Sequence, residues 1–282
     1  MKIFPENFTI AAISPAGKAS PETVDAGIKV LQQLGAKVKV MPNVLKGNPE
    51  WSYLSATDAE RCADLEAAWL DPEVDMLWAV RGGYGCVRLL PMLDWEKLSR
   101  RPNMLLAGFS DITAMHWAMS AKNCGIPMAL PMFSFLKNID EYSLQSLAGV
   151  FQKKNCEFKL PALREGVISG LPLPGNLTVA ASLCGTAYFP DTTDKILILE
   201  EVGEHPYRID RTLHQLLLNN AFKKCAGIVF GKISSSGNPD EIMAVLKGFT
   251  SKVDVPVYYG LEYGHELPFV SLRSDRIITV HN

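Results

Sequence analysis

The chain has 282 residues, of which 48% are apolar and 21% charged, with a formal net charge of −2. That is long enough for two modest domains with real cores. It offers no Lys/Arg run of the density a nucleic-acid or polybasic membrane surface needs, and no window approaches the ~18 consecutive apolar residues of a membrane span.

FTIAAISPAG reads as a strand entering a small-residue loop, followed by a helix over residues 21–35. Ser20 is placed to cap that helix, Pro21 to fill its first turn and Gly35 to end it. AKVKVMP is a strand. Residues 57–70 form a second helix capped by Thr57 or Asp58, and VDMLWAV is a buried strand broken by RGGYG. After the partly helical CVRLLPMLDWEKL come the strand NMLLAGFS and the helix DITAMHWAMSAKNCG. Strands alternating with helices at this spacing predict an α/β fold, with a Rossmann-like parallel sheet in the N-terminal domain. Residues 151–170 lose helical periodicity and gain Pro and Gly, as a linker does. The expected division is therefore 1–150, a linker 151–170, and a smaller mixed α/β domain 171–282. Beyond the linker lie the strand ILILEE, the helix RIDRTLHQLLLNNAF, the strand GIVFGKI, the helix PDEIMAVLKGFT and the strand VPVYYG. The ending VSLRSDRIITVHN reads as a hairpin.

Chemistry concentrates at a few strand ends. Ser110 sits between an apolar strand and a helix, two residues after Gly108. There it is either an N-cap or an exposed nucleophile, with the Asp111 N–H free to donate to an oxyanion. The second glycine of G-x-S-x-G is absent. RGGYG at residues 81–85 is either a tight turn or a backbone site for an anion, without the spacing of a dinucleotide or Walker loop. In an open parallel sheet ligands bind at the carboxyl ends of strands, where both segments lie. Glu200, Glu201 and Glu204 follow the ILIL run; the last suits a solvated loop facing Arg208 and Arg211, whereas Glu200 abuts the apolar strand. His265, between Gly264 and Glu266, is a candidate general base, histidine having an unperturbed pKa of ~6.5. His116 falls past one helical turn from Ser110, and His205, His214 and His281 occupy loop, helix-surface and tail positions.

The six cysteines form no C-x-x-C pair and there is no H-E-x-x-H, so neither a metal nor another cofactor is expected. The N-terminus lacks the apolar stretch of a signal peptide. Together with the free thiols this predicts a cytoplasmic protein.

Six motifs in chain order, SPAG, RGGYG, GFSDIT, GNLTVAASLCGT, LEEVGEHPYRIDR and GHELP, resemble those of the LD-carboxypeptidase family of serine peptidases over residues 14 to about 268. The resemblance implies a Rossmann-like domain bearing the nucleophile Ser110, and a second domain bearing the acid Glu200 and the base His265. It also implies oxyanion donors at the backbone of Gly83 and Asp111. The family activity is metal-independent removal of a terminal D-amino acid from cytoplasmic murein peptides. The partner expected is then a small peptide, with no nucleic acid and no membrane, and relatives often form homodimers. A free carboxylate needs a cation, for which Arg81 and Arg88 are placed, with Tyr84 a further substrate contact. Some relatives cleave a peptidyl-nucleotide antibiotic instead, which calls for an aromatic platform among residues such as Trp51, Trp78 or Trp117. A non-catalytic peptide-binding role that keeps the cleft is a further alternative; the presence of all three triad residues counts against it without proving activity. Three departures from the family pattern, Pro174 before Gly175, ALPMFSF without its His-Gly, and LPFVSLRSD, lie outside the triad and bear on substrate choice.

Overall fold

The computed structural model describes residues 2–152 and 156–282. Strand β1 (Thr9–Ile13) is buried from Ile10 onward, as befits an inner strand covered on both faces. The Ser20 hydroxyl accepts from the Thr23 N–H at the start of α1 (Pro21–Gln33), and Gly35, at φ +103°, turns the chain into β2 (Lys37–Val40). Helix α2 (Asp58–Leu70) begins with a reciprocal capping box between Thr57 and Glu60. Next come β3 (Met76–Ala79), the short α3 (Cys86–Leu89) and α4 (Trp95–Ser99), then β4 (Leu105–Gly108). A 3₁₀ turn, Ser110–Ile112, leads into α5 (Thr113–Lys122), followed by β5 (Ile126–Ala129) and α6 (Phe133–Leu136). Helix α7 (Glu141–Gly149) has no counterpart in the sequence reading. Its cap, Asp140, accepts from the Ser143 N–H at 2.9 Å and hydroxyl at 2.6 Å.

The stretch expected to be a linker holds β6 (Cys156–Lys159), β7 (Ala162–Arg164) and the start of β8 (Ile168–Asn176), while residues 153–155 lie outside the described residues. The chain continues through α8 (Leu177–Ser182), β9 (Lys195–Val202), α9 (Pro206–Leu218), β10 (Gly227–Ser234), α10 (Pro239–Thr250), β11 (Val257–Tyr259), β12 (Leu272–Arg273) and β13 (Ile278–His281).

The strands form two sheets and the fold class is α/β, as expected. One sheet has the order β12-β5-β4-β3-β1-β2 and is parallel except for β12. The other, β6-β13-β8-β9-β10-β11-β7, has a parallel centre of β8 to β11 with mixed edges. The ending is not a hairpin. Strand β12 pairs antiparallel with β5 in the first sheet, whereas β13 pairs with β6 and β8 in the second. Alternating hydrophobicity identifies a strand but carries nothing about its partner, and β12 finds an open edge far back in the chain.

The two sheets are joined through α5. The buried Trp117 donates its indole N–H to the Pro174 carbonyl at 3.0 Å, and the Thr113 hydroxyl accepts from the Asn176 N–H at 2.8 Å. A Cβ on Gly175 would lie 2.7 Å from Thr113 Cγ2, so this glycine lets α5 close onto β8. Pro174 therefore takes part in this contact, its carbonyl accepting from Trp117, where the family pattern has a second glycine.

Candidate active site

Ser110 has φ +60°, a left-handed conformation that costs a non-glycine residue roughly 1–2 kcal/mol. Such strain persists only where neighbouring structure enforces it. Gly108 supplies part of the enforcement, at φ +155° and with no room for a Cβ, which would fall 2.8 Å from Ile112 Cγ1. Gly82 supplies more: a Cβ there would sit 3.0 Å from Ser110 Cβ and 3.1 Å from its Oγ. The hydroxyl is thus held at the carboxyl end of β4, pressed against the glycine loop that follows β3.

His265 Nε2 lies 2.9 Å from Ser110 Oγ, and its Nδ1 lies 2.8 Å from Glu200 Oε2. An ionised carboxylate only accepts, so the Nδ1–H donates to Glu200 and Nε2 is left to accept the serine proton. The imidazole packs at 4.9 Å against the Phe109 ring, which in turn meets Phe269 and Phe135 edge-on. Glu200 is 0% exposed, and burial raises its carboxyl pKa against the opposing hydrogen bond from His265. Its Oε1 has no partner among the described residues.

Strand alternation sends Glu201 to the opposite face. There it accepts from Asn176 Nδ2, the Val202 N–H, and the N–H and hydroxyl of Thr178, at 2.6–2.9 Å. The three bonds from Asn176 and Thr178 fasten the start of α8. Glu204 instead faces Arg208 at 3.3 Å. Of the three carboxylates only Glu200 reaches the imidazole.

The other histidines are engaged elsewhere. His116 is buried, with Nε2 2.9 Å from the Leu106 carbonyl, and burial lowers its pKa to about 4. His205 stacks on Tyr207, His214 faces Asp210, and His281 faces Glu157.

Asp111 anchors the glycine loop. Its buried carboxylate accepts from the Cys86 N–H at 2.8 Å, and burial raises its pKa. From the other side the Gly17 N–H donates to the Gly82 carbonyl at 2.9 Å. Arg61, only 2% exposed, reaches the carbonyls of Pro15 and Gly85 and pairs with Asp58. Gly83, at φ +102°, therefore sits in a loop clamped at both ends, and no hydrogen bond among the described residues occupies its N–H.

Arg81 donates to the Lys18 carbonyl at 2.6 Å and, with Lys18, Ser52, Tyr53, Gly83 and Tyr84, lines an open cleft of about 340 Å³. Tyr84 is 46% exposed there, 6.0 Å from the Tyr53 ring. Arg88 is otherwise employed. It grips Asp58 with three contacts of 2.7–3.0 Å and lies 4.4 Å over the Trp51 ring.

Sequence reading overlooked Arg61, although a charged residue on the same helical face as the apolar Leu65 and Trp69 is a visible anomaly. It also overlooked Asn176 as the partner of Glu201. No group of three His, Cys, Asp or Glu side chains is disposed to hold a metal among the described residues. Among the described residues no helix is long and apolar enough to cross a membrane, and all six cysteines are free.

A Streptomyces coelicolor protein is 33% identical over 91% of this chain and 84% of its own. The murein tetrapeptide carboxypeptidase of Pseudomonas aeruginosa is 29% identical, over 91% and 87%. Among solved structures, the muramoyltetrapeptide carboxypeptidase of Oxalobacter formigenes superposes with a TM-score of 0.82 at 29% identity, covering 94% of this chain and 92% of that one. A MccF-like protein of Bacillus anthracis superposes at 0.88 over 99% and 94%, and at 24% identity it shares the fold. Residues 10–129 match the LD-carboxypeptidase N-terminal domain and residues 169–279 the C-terminal domain. With most of its length accounted for by those two matches, the chain belongs to the LD-carboxypeptidase family.

Proposed function

We propose that the protein is a serine carboxypeptidase that hydrolyses an L–D amide and releases the terminal D-amino acid of a murein peptide, in the cytoplasm and without a metal. The observation that carries the reading is the continuous line Ser110 Oγ, His265, Glu200, with links of 2.9 and 2.8 Å. Ser110 gives its proton to His265 Nε2 as Oγ attacks the scissile carbonyl carbon. Glu200 holds the Nδ1–H tautomer and stabilises the imidazolium that forms. The N–H groups of Gly83 and Asp111 receive the negative oxygen of the tetrahedral intermediate, a contribution of ~10²–10³ in rate per donor. His265 then returns the proton to the leaving amine, the C–N bond breaks, and the D-amino acid departs. Water, deprotonated by the same imidazole, hydrolyses the acyl-enzyme and frees Ser110.

Arg81, with Tyr84 beside it, receives the free carboxylate of the departing residue. The cleft they line includes Gly83 and no acidic side chain. Named relatives that act on murein tetrapeptides support the substrate. The domain bearing the nucleophile is assigned to residues 1–150 and the one bearing acid and base to 171–282.

MccF, a fold relative at 20% identity, has been solved with glutamyl sulfamoyl guanosine. Of the tryptophans that could form a base platform for such a ligand, Trp78 and Trp117 are buried, whereas Trp51 is exposed with Arg88 4.4 Å over its ring.

The test is mass spectrometry of a murein tetrapeptide ending in D-alanine, incubated with wild type or Ser110→Ala in the presence of a chelator. Loss of one alanine with wild type alone is expected. No cleavage by the folded wild type would overturn the substrate, and cleavage by Ser110→Ala would overturn the nucleophile.

A further inference from the structure

His265 must keep two hydrogen bonds in opposite directions, yet residues 260–271 around it contain neither helix nor strand. Something other than regular structure has to hold the ring in place. Lys232, on β10 of the second sheet, has a side chain only 18% exposed, and its ammonium has three partners on this loop. They are the Glu262 carboxylate at 2.8 Å, the Glu266 carbonyl at 2.9 Å and the Pro268 carbonyl at 2.6 Å. An ammonium carries three N–H donors, so its capacity is filled, and the partners fall on both sides of His265. The Lys232 backbone N–H adds a bond to the Tyr263 carbonyl at 2.8 Å. Gly264, at φ +153°, lies flat on the lysine: a Cβ there would come within 2.8 Å of Lys232 Cβ.

We propose that Lys232 is the positioning residue for the catalytic base. Its ammonium ties the two flanks of the loop together and so keeps the imidazole between Glu200 and Ser110. Lys232 touches neither substrate nor the reacting atoms; it acts through His265 alone. The inference rests on reading Ser110 and His265 as nucleophile and base. A misplacement of about 1 Å at a reacting group costs on the order of 10²-fold in rate, which sets the effect to look for.

The test uses a fluorophosphonate, which labels a serine only when its base is aligned and requires no knowledge of the peptide. K232M is expected to slow labelling of Ser110 by about 10- to 100-fold and kcat on the tetrapeptide by a like factor, with KM within about two-fold and K232R recovering most of the loss. A lysine serving stability alone would lower the melting temperature and leave labelling per folded molecule unchanged. That result overturns the proposal. Should K232M not fold, E262Q loosens one of the three ties at the exposed side of the loop. A slowing of about three-fold is expected, and wild-type labelling by E262Q overturns the inference. A wild type that labels but leaves murein peptides intact removes the substrate assignment and not this one; a wild type that does not label removes the nucleophile and this proposal with it.

Discussion

Ser110 stands on a turn decided within a few residues of sequence: the end of β4, Gly108, a left-handed serine, one 3₁₀ turn and the start of α5. His265 stands on an irregular loop whose side-chain ties come from distant parts of the chain. Lys232 holds it from the second sheet. From the first, the Ser143 and Ser146 hydroxyls on α7 accept from the Phe269 and Ser271 N–H groups at 2.7 and 2.9 Å. The two halves of one hydrogen bond are thus built by opposite means. Local backbone geometry makes a nucleophile visible in sequence, while side-chain tethers make a base placeable only in three dimensions.

The comparison can be tested from the local side first. Ser110→Ala should remove at least ~10⁴-fold of tetrapeptide hydrolysis with an unchanged circular dichroism spectrum. Glu200→Gln should cost about 10³-fold in kcat by losing control of the imidazole tautomer and charge. Its effect on stability should have the other sign. Burial raises the Glu200 pKa, so the folded state binds that proton more tightly than the unfolded chain, and ionisation above the ordinary carboxylate range works against folding. Glutamine removes that charge, so the melting temperature should hold or rise; a fall of several degrees would contradict the account. Glu201→Gln should do the converse, losing about 1–2 kcal/mol in urea titration as the α8 cap weakens, with the smaller loss of rate.

Gly82→Ala inserts a methyl 3.0 Å from Ser110 Cβ. It should cost about 10²-fold in kcat with little change in melting temperature. Recovery of wild-type turnover would show that the Ser110 turn is softer than its glycines imply. A pH series examines α5, which follows that turn. Burial lowers the His116 pKa to about 4, so between pH 6.5 and 4 the unfolded chain takes up the proton first and stability falls as pH falls. Between pH 7 and 5 the loss should be about 2 kcal/mol in urea titration, and His116→Gln should flatten it. The smallest effect is expected on the tethered side. Ser143→Ala leaves the Phe269 N–H without its acceptor and should lower kcat about three-fold with KM unchanged; a change in KM alone would place α7 in substrate binding instead.

Much of the scaffold was legible because local physics decides it. Ser20 and Thr57 announce their helices through cap chemistry, and the buried strands of the first sheet read as apolar runs. Ser110 stood out between strand and helix, and Glu200 separated itself from Glu204 by abutting the apolar run. The two arginines suggested for a carboxylate look alike in sequence, and only their neighbours tell them apart: Arg88 is held by Asp58, and Arg81 lines the cleft. Lys232 was invisible for a related reason, since nothing near it in sequence hints at a loop some thirty residues on. Strand pairing was equally hidden, which is why the ending looked like a hairpin and why β6 and β7 passed for linker.

That misread ending also bears on how the protein is made. Strand β12 completes the first sheet by pairing Leu272 and Arg273 with Ala129 and Met128 of β5. On the ribosome, the first five strands of that sheet emerge long before residue 272. The nascent chain must therefore carry the β5 edge uncovered while about half of the chain is made, with its N–H and C=O groups open to other extended segments. A lesion in β12 would prolong that exposure into the finished chain, leaving the β5 edge open after synthesis has ended.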